Sequence, residues 1–331
     1  MIAEYIGIDL HKAFFQACVM TAAGDRVWEG RFARTAEGVA QFVARGVSAG
    51  HAIAVEASGP TWAFVDALQP TGARVWVVDP RKTRLKAGFA AKTDRLDARR
   101  LADALRRDSV VSIYIPPPAI RELREVCRGR HQVVRLRTRL AQMIRALLLR
   151  GDGGEPPGTR LYAPAAMAWL ATVRLAPEAD RSLRRLERLF RAVHADVVVA
   201  DREVRQRARI EPIARALDAL VGIGPIMALT IRAEIGDVAR FASGPALASY
   251  AGLVPRVEAS AGRVYHGRIT REGSPWLRWA LVQAARHAIK RDDPRARWAR
   301  RLAIRKGINK ARVALARVLC DQVMTTWKQH Q

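Results

Sequence analysis

The sequence has few of the residues that form disulfide frameworks or zinc sites, and no long apolar run. Its three cysteines, Cys18, Cys127 and Cys320, are odd in number and far apart, which excludes both a disulfide framework and a zinc-ligand spacing. No apolar run approaches the ~20 residues of a membrane-spanning helix, and the first residues lack the pattern of a signal peptide. We therefore expect a soluble protein of a reducing, cytoplasmic compartment that has no membrane partner.

Acidic residues are also scarce relative to basic ones. The 331 residues include 57 Lys and Arg but 31 Asp and Glu, which gives a formal net charge of +26 and a pI of about 11.4. Such a charge attracts polyanions and speeds their encounter with the protein. Arginine supplies 49 of the 57 basic residues, and its guanidinium pairs with phosphate through two hydrogen bonds, although a codon bias towards arginine is an alternative explanation. The net charge indicates a nucleic-acid partner.

The excess positive charge is unevenly distributed along the chain. Residues 1–110 hold 16 basic and 12 acidic side chains, whereas residues 111–331 hold 41 and 19. The length allows two or three domains, and a Gly/Pro-rich stretch at 151–158 is the clearest break. We predict that the near-neutral first part carries an acidic site and that the basic remainder holds the polyanion.

The first 110 residues alternate between apolar runs and helical spacing. The runs that predict strands are 5–9, 13–21, 26–33, 51–56 and 73–78, and the segments that predict helices are 36–46, 61–69 and 94–107. This order predicts a mixed α/β sheet with helices on its faces.

The remainder of the chain has mainly helical patterns. Two long, arginine-rich helices are predicted at 119–150 and 177–211, and they favour an antiparallel hairpin or a coiled coil. We expect Pro212 to end or kink the second helix. Residues 217–325 predict a compact, mainly helical domain. The predicted domains are 1–110, 111–216 and 217–331.

Four acidic residues lie at the ends of these predicted elements. Asp9 and Glu56 each end a strand, and Asp94 and Asp97 share one face of a helix because they are three positions apart. If the strands are neighbours and the helix packs over their ends, the four carboxylates converge, and a cation relieves their repulsion. Mg²⁺ prefers such oxygen ligands and serves phosphodiester chemistry.

Each of these acids also has an ordinary structural interpretation. Asp9 can close a turn at the end of its strand, and Glu56 can pair with an arginine. Asp94 can cap a helix with Asp97 in the first turn, where negative charge suits the helix dipole. The residues alone leave the metal site and the structural interpretation open.

A glycine-rich turn, Val221-Gly222-Ile223-Gly224-Pro225, separates a helix predicted to end near Leu220 from one predicted at about 226–235. Gly222 and Gly224 would let backbone N–H groups approach a phosphate, as in a helix-hairpin-helix contact with DNA. A simple turn between helices is the alternative. Such contacts position DNA and do not read its sequence.

A serine in an arginine-rich, glycine-flanked loop is a candidate nucleophile towards phosphate. Ser260 would need activation, and nearby guanidinium groups would stabilise the charge that develops on the phosphate; a role in a turn is the ordinary alternative. The nearby arginines are Arg256, Arg263 and Arg268. Ser58 is a competing nucleophile, and His11 and His266 are candidate proton carriers or structural histidines.

Together these motifs resemble the IS110/IS1111-family DEDD transposases, the bridge-RNA-guided recombinases of one class of bacterial insertion sequence, along nearly the whole chain. The N-terminal motifs are Gly7-Ile8-Asp9-Leu10-His11-Lys12, Glu56-Ala57-Ser58-Gly59 and Lys92-Thr93-Asp94-Arg95-Leu96-Asp97-Ala98-Arg99. The C-terminal motifs are Gly222-Ile223-Gly224-Pro225, Phe241, Ala251-Gly252-Leu253-Val254-Pro255-Arg256, Ser260 and Gly273-Ser274-Pro275-Trp276-Leu277-Arg278. Each motif alone is unspecific, but the set and its order are specific.

The resemblance implies a RuvC-like (RNase H-like) α/β domain, a helical coiled-coil segment and a mainly α C-terminal transposase domain with a helix-hairpin-helix-like motif. It implies that Mg²⁺, or Mn²⁺ instead, is bound by the four acids, and that Ser260 forms a covalent link to a DNA end. The acids are Asp9, Glu56, Asp94 and Asp97. The nucleic-acid contacts are assigned to Gly222, Gly224, Arg256, Arg263, Arg268 and Arg278.

The resemblance also implies the partners of the protein. They are donor and target DNA, a structured noncoding bridge RNA that pairs with both, and further copies of the chain, as homodimers that assemble into a tetramer at the bacterial nucleoid. RNA pairing would choose the sequence while the protein holds backbone and shape. Many members have glycine directly after the serine, whereas here Ala261 separates Ser260 from Gly262.

The resulting hypothesis is a site-specific DNA recombinase that moves an insertion element by serine attack beside a bound metal ion. One alternative is a RuvC-like metal-dependent nuclease in which water attacks. The other is a non-catalytic nucleic-acid-binding protein in which the acids are helix caps and ion-pair partners.

Overall fold

The computed structural model describes residues 2–79, 82–83, 93–260 and 263–330, and it describes the backbone alone for residues 258–260, 263, 264 and 266. Lys92, Ala261 and Gly262 of the motifs above lie outside the described residues. The contacts between residues divide the chain into two compact units, Met1–Ile115 and Pro116–Gln331. Among the helices described, none combines the length and the apolar character that crossing a membrane requires.

The first unit contains the predicted order of three strands, helix, strand, helix, strand and helix, which is therefore confirmed. A short strand, which was not predicted, follows the last helix. The elements are β1 (Glu4–Leu10), β2 (Phe14–Thr21), β3 (Arg26–Ala33), α1 (Ala36–Val43), β4 (His51–Glu56), α2 (Thr61–Leu68), β5 (Arg74–Val78), α3 (Asp94–Arg106) and β6 (Ser112–Ile113).

These strands form one mixed sheet in the order β3-β2-β1-β4-β5-β6. β1 is antiparallel to β2 and parallel to β4, with Ile8 opposite Val55, and β4 is parallel to β5. Because β1 and β4 are parallel neighbours, their C-terminal ends lie at the same edge of the sheet. Asp9, the penultimate residue of β1, and Glu56, the last residue of β4, therefore lie at this edge on adjacent strands, which meets the condition for converging carboxylates.

Alternation of side chains along each strand separates two layers of core. On one face, apolar residues of the sheet such as Ile8 and Val55 pack with the aromatic residues of α1 and α2, for example Phe42 and Phe64. On the other face, small residues of β4 pack against Leu101 and neighbouring residues of α3. Since successive residues of a strand point to opposite faces, Asp9 and Glu56 belong to the α3 face.

The second unit is mainly helical. Proline lies within the first two positions of most of its helices, where the missing N–H group would have no intrahelical acceptor. The elements are α4 (Pro118–Arg150), α5 (Pro164–Thr172), α6 (Pro177–Ile210), α7 (Pro212–Asp218), α8 (Pro225–Ile235), α9 (Gly244–Tyr250), β7 (Pro255–Ser260), β8 (Arg263–Ile269), α10 (Pro275–Ala288), α11 (Pro294–Lys306) and α12 (Ile308–Gln329).

The two long helices α4 and α6 pack side by side in opposite directions, which confirms the predicted antiparallel hairpin. Arg130 pairs with Asp201 at 2.7 Å near one end, and Ile144 and Phe190 belong to one buried cluster near the other. The break at Pro212 is also confirmed, because α6 ends at Ile210 and the proline begins α7.

The sequence predicted a loop around Ser260, and this prediction is wrong. Residues 255–260 and 263–269 form two antiparallel strands, β7 and β8, in which Ser260 pairs with Arg263. Two of their described apolar side chains lie largely in solvent: Val257 is 57% and Tyr265 58% exposed. Exposed apolar residues such as Val257 and Tyr265 alternate with charged ones, so the sequence of this strand pair resembles that of a loop.

An ion pair with a buried carboxylate connects α4 to the rest of the second unit. The guanidinium of Arg128 donates two hydrogen bonds, of 2.9 and 3.0 Å, to the carboxylate of Glu234 on α8, whose side chain is only 2% exposed. The hydroxyl of Ser274 donates a third to the same carboxylate at 2.8 Å, while Arg124 donates to the carbonyls of Ala233 and Glu234. These contacts join α4, α8 and the start of α10. Loss of Arg128 would leave the buried charge of Glu234 without its ion-pair partner.

One turn further along α4, His131 is packed between tryptophans of α10. Its ring lies 4.9 Å from that of Trp276 and 4.0 Å from that of Trp279. Nε2 has no hydrogen-bond partner among the described residues. Burial lowers the pKa of His131 to about 4, and the nearby positive charge of Arg130 acts in the same direction. His131 is therefore neutral in the folded protein at neutral pH.

We predict that this histidine makes the protein sensitive to acid. An unfolded chain protonates His131 near its ordinary pKa, whereas the folded chain excludes the proton until about pH 4, so stability is lost as pH falls through this window. As the pH falls from about 7 to 5, protonation of His131 in the unfolded chain should lower the free energy of unfolding by about 2 kcal/mol. Urea titrations of His131→Phe should show a pH dependence smaller by that amount. His330→Gln, at an exposed histidine, is the control; equal pH dependence in all three proteins would refute the prediction.

Candidate active site

The acidic site depends on an unusually close contact between α3 and β1. A Cβ atom placed on Gly7 of β1 would lie 1.9 Å from the carbonyl oxygen of Ala98 and 2.4 Å from the amide nitrogen of Ala102, both on α3. No side chain fits in that space, so glycine is required here for the helix backbone to lie against the strand. Gly7 and Asp9 point to the same face of the sheet because they are two residues apart.

The first turn of α3 carries two acids of the DEDD set, Asp94 and Asp97. The N-cap is Thr93, whose hydroxyl accepts a hydrogen bond from the Leu96 amide at 3.3 Å. The interpretation of Asp94 as the N-cap is therefore wrong: Asp94 and Asp97 both lie within the first turn, where the helix dipole favours negative charge.

A second contact holds α3 across the sheet. The guanidinium of Arg99 donates two hydrogen bonds to the carboxylate of Glu29 on β3, at 2.7 and 2.8 Å. These bonds lower the pKa of Glu29, so the pair stays charged at neutral pH. Gly7 and the Arg99–Glu29 pair together determine where the first turn of α3 lies.

The result is a cluster of possible metal ligands at the end of β1. The Nε2 atom of His11 lies 3.1 Å from Oδ2 of Asp9 and 3.4 Å from Oδ1 of Asp94. One ligand atom from each of the three residues lies within 4.8 Å of the other two. Carboxylate oxygens and imidazole nitrogen are common metal ligands, so the donor set fits a divalent cation.

The pKa of Asp9 also indicates a cation site. Its side chain is only 16% exposed, and this burial raises its pKa, although His11 opposes the shift. The negative charges of Asp94 and Asp97 raise the pKa further. A partly buried carboxylate near two like charges is stabilised by a cation, which again fits the predicted metal site.

Glu56 and Asp97 lie near this cluster but are not part of the group of three. Asp97 accepts a hydrogen bond of 3.3 Å from Arg100, one turn along α3. Glu56 ends β4, on the α3 face of the sheet by alternation, and its backbone carbonyl accepts a hydrogen bond of 3.1 Å from the Thr61 hydroxyl. The structure therefore brings Asp9 and Asp94 together around His11, while the ligand roles of all four acids stay predictions.

Ser58, the alternative candidate nucleophile, makes contacts that give it a structural role. Its hydroxyl lies 3.1 Å from the hydroxyl of Thr61, and its amide donates to the same oxygen at 2.8 Å. These contacts fix the turn between β4 and α2. They favour the turn interpretation of Ser58 over a nucleophilic one.

Ser260 is the last residue of β7, at the distal end of the exposed strand pair. Its partner across the pair is Arg263, the first residue of β8. Arg256 and Arg268 lie further along the same strands and are exposed to solvent. The side chains of Ser260, Arg263 and His266 lie outside what the structure describes, so their predicted roles are untested.

The base of this strand pair is closely packed. A Cβ on Gly252 would lie 2.3 Å from the carbonyl oxygen of Glu272, and one on Gly273 would lie 1.9 Å from that of Tyr250. The guanidinium of Arg278 donates hydrogen bonds to the carbonyls of Ala251 and Glu272, at 3.0 and 3.2 Å. Arg278, which was predicted to bind nucleic acid, thus has a structural role as well.

The two glycines of the α7–α8 turn differ in their surroundings. Gly222 has φ +89°, and a Cβ there would lie 2.5 Å from the carbonyl oxygen of Ala284 on α10, so its glycine allows packing between helices. Gly224 is the N-cap of α8, and a Cβ there would meet only Met227, at 3.6 Å. Of the two, Gly224 is the better placed for a phosphate contact.

Comparison with known proteins identifies the family. A family model of DEDD transposases of the IS110 type matches residues 6–151, and a second, described as "Transposase IS116/IS110/IS902 family", matches residues 214–300. A probable family 20 transposase of Pseudomonas aeruginosa is 30% identical over 276 residues, which cover 80% of each chain. This chain belongs to the IS110/IS1111 family of transposases.

Other relatives of the transposase extend the match to nearly its full length. The transposase for insertion sequence element IS1111A of Coxiella burnetii is 26% identical over 95% of this chain and 86% of its own. The transposase for insertion sequence element IS1328 of Yersinia enterocolitica is 26% identical over 86% of this chain and 84% of its own. The chain is therefore a DNA transposase, and the cluster at Asp9 lies inside the DEDD match.

His11 is the residue of this site that sequence reasoning did not assign to the metal. The sequence alone indicates a proton carrier or a structural histidine at this position. The spacing Asp9-Leu10-His11 was the available signal, because residues i and i+2 at the end of a strand point to the same side. The approach of Asp94 from α3 was needed to show that the histidine lies between two carboxylates.

We predict that Gly7→Ala disrupts this site. The added methyl group would force α3 away from β1, and the overpacking should lower the free energy of unfolding by about 3 kcal/mol. Weaker binding of Mn²⁺, measured by calorimetric titration, should accompany the loss. Gly59→Ala is a matched control near the same edge of the sheet, where a Cβ would meet nothing within 4 Å. Unfolding and Mn²⁺ binding of Gly7→Ala that match those of Gly59→Ala would contradict the account.

Proposed function

We propose that the transposase is a site-specific recombinase that moves an insertion element with two kinds of catalytic group. Asp9, Glu56, Asp94 and Asp97 hold a divalent metal ion, Mg²⁺ in the first instance, and Ser260 attacks the scissile phosphate. The observation that carries the proposal is the convergence of Asp9 and Asp94 on β1 and α3, inside the segment that matches the DEDD family. When bound, the ion would stabilise negative charge on the reacting phosphate.

The burial and the mutual distance of the acids determine how they bind a cation. Burial and the neighbouring negative charges raise the pKa of Asp9, so the ionised site is under electrostatic strain that a cation relieves. Asp94 is about half exposed at the opening of the site, where a phosphate can also reach. The acids therefore favour joint binding of a cation and a phosphate over either one alone.

Ser260 would act as a nucleophile that conserves the energy of the phosphodiester bond. Its Oγ forms a bond to phosphorus as one P–O bond of the DNA backbone breaks; the serine proton passes to a base and the leaving oxygen takes up a proton. Attack by the hydroxyl of a second DNA end on the phosphoserine then restores the serine and joins the strands. Arg256, Arg263 and Arg268, on the same two strands, would bind the phosphates.

The proposed partners are donor and target DNA and a structured bridge RNA. The net charge of +26 supports polyanion binding, and Gly224 at the start of α8 is one candidate backbone contact. The division into a RuvC-like domain at 1–110, a helical segment at 111–216 and a C-terminal domain at 217–331 belongs to this proposal. RNA pairing would select the sites while the protein binds backbone and shape.

We also propose homodimers that pair into a tetramer. Apolar side chains that are about half exposed or more lie on both long helices of the α4–α6 hairpin. They include Leu136, Met143, Leu189, Val198 and Val199. Exposed apolar residues on a helical hairpin fit a contact with a second copy, which would let the acidic site of one protomer act with the serine of another.

The first test is a trapped covalent adduct. Incubation with donor DNA, bridge RNA and Mg²⁺ should yield a protein–DNA species that survives denaturing electrophoresis, with DNA attached to the peptide that contains Ser260. Ser260→Ala should abolish the adduct because no other hydroxyl replaces the nucleophile. Ser58→Ala, a serine within the DEDD match, should retain it. An adduct in Ser260→Ala would exclude the serine role, and cleavage without any adduct would favour a water-dependent nuclease.

The second test concerns the metal. Asp94→Asn keeps the size of the side chain but removes a charged ligand, and we expect strand cleavage in Mg²⁺ to slow by about a hundredfold or more. Asp25→Asn makes the same charge change in the β2–β3 turn and should leave the rate unchanged. Full activity of Asp94→Asn would rule out its metal role. Cleavage by the unaltered protein that persists in excess chelator would show that no metal ion takes part.

A further inference from the structure

The histidine at position 11 is held in place by the chain around it. It follows β1 directly, and its amide donates a hydrogen bond of 2.9 Å to the carbonyl of Phe14. Its ring lies 4.6 Å from the ring of Phe14 at an angle of 31°. These contacts fix both the backbone and the imidazole, so the position of Nε2 follows from the fold of the β1–β2 turn.

Nε2 of His11 faces two carboxylates from different elements. It lies 3.1 Å from Asp9 at the end of β1 and 3.4 Å from Asp94 at the start of α3. Its side chain is 39% exposed and that of Asp94 46%, so solvent and a phosphate can reach this side of the cluster. Nε2 of His11 is therefore close enough to both carboxylates for all three groups to bind one cation.

A second histidine in the same unit shows what a purely structural pair looks like. His51 Nε2 lies 3.0 Å from the carboxylate of Glu4, at the opposite end of β1. Its other ring nitrogen, Nδ1, accepts a hydrogen bond of 3.2 Å from the Ser48 amide. His51 thus pairs with one carboxylate and has its other nitrogen occupied, whereas His11 is shared by two acids at the candidate metal site.

We propose that His11 is a nitrogen ligand of the metal ion, so that the centre is a mixed carboxylate–imidazole site rather than an all-oxygen one. The proposal rests on the metal binding of the proposed function and adds a ligand outside the four acids. Mg²⁺ prefers oxygen ligands and water, whereas imidazole nitrogen suits first-row transition metals. The site therefore favours ions such as Mn²⁺ relative to Mg²⁺ more strongly than four carboxylates would.

The direct test is pulsed electron paramagnetic resonance of Mn²⁺ bound to the full-length protein without nucleic acid. Electron spin echo modulation from a coordinated imidazole nitrogen should be present in the unaltered protein and absent in His11→Gln. His51→Gln, at the structural histidine, should retain the signal. Circular dichroism and thermal unfolding of both variants establish that the fold is kept, since glutamine at either position retains a polar side chain.

Affinity provides a second readout that is independent of turnover. His11→Gln should weaken Mn²⁺ binding about tenfold, at the lower end of the losses seen when metal-site residues are removed. Mg²⁺ binding should change less, so the concentration of Mg²⁺ needed to displace Mn²⁺ should fall. His51→Gln should bind both ions as the unaltered protein does. Equal losses for the two ions in His11→Gln would contradict a nitrogen ligand.

The outcomes separate this proposal from the one on which it rests. Bound Mn²⁺ that depends on Asp9 and Asp94 but shows no nitrogen signal would overturn the role of His11 and leave the acidic metal site standing. A nitrogen signal that persists in His11→Gln would assign the ligand elsewhere and also overturn it. If the unaltered protein bound no Mn²⁺, both the ligand and the metal site would be refuted, while the adduct at Ser260 would remain a separate question.

Discussion

The close contact between α3 and β1 at Gly7 is the constraint on which the acidic site depends. It leaves no room for a side chain between the strand and the backbone of Ala98, and it places the first turn of α3 over the end of β1. Asp94 then reaches the same imidazole as Asp9. Asp9 is partly buried in this site, and this burial raises its pKa. Packing and chemistry are therefore coupled: the site is acidic, crowded and partly desolvated because a helix lies directly on a strand.

The second unit is organised around a different kind of contact. The buried Arg128–Glu234 pair, together with Ser274, joins α4 and α8 to the start of α10. The two strands that end at Ser260 and begin at Arg263 leave from this packed base, where Gly252 and Gly273 allow close approach of backbone segments. The base is thus closely packed, whereas Val257 and Tyr265 on the strands are exposed. This arrangement is compatible with the proposed role of Ser260 as a nucleophile towards a large substrate.

Much of the fold could be predicted from the sequence, because alternating apolar residues and helical spacing are local signals. The order of strands and helices in the first unit, the α4–α6 hairpin and the strand-end positions of Asp9 and Glu56 followed from them. The strands around Ser260 did not follow from such signals, since apolar residues such as Val257 and Tyr265 face solvent there. The proposed role of His11 did not follow from local signals either, because it requires Asp94 to approach from a helix more than 80 residues away in the chain. The contact at Gly7 is equally nonlocal.

In the proposed function, Asp9 and Asp94 bind the same metal ion because α3 lies on β1. A double-mutant cycle on Mn²⁺ affinity tests it directly, with Asp9→Asn, Asp94→Asn and the double variant titrated against the unaltered transposase. Residues that share one ion should be strongly coupled, so the double variant should bind Mn²⁺ about as weakly as the weaker single variant. Losses that simply add would contradict the account, because they would show that the two carboxylates act independently.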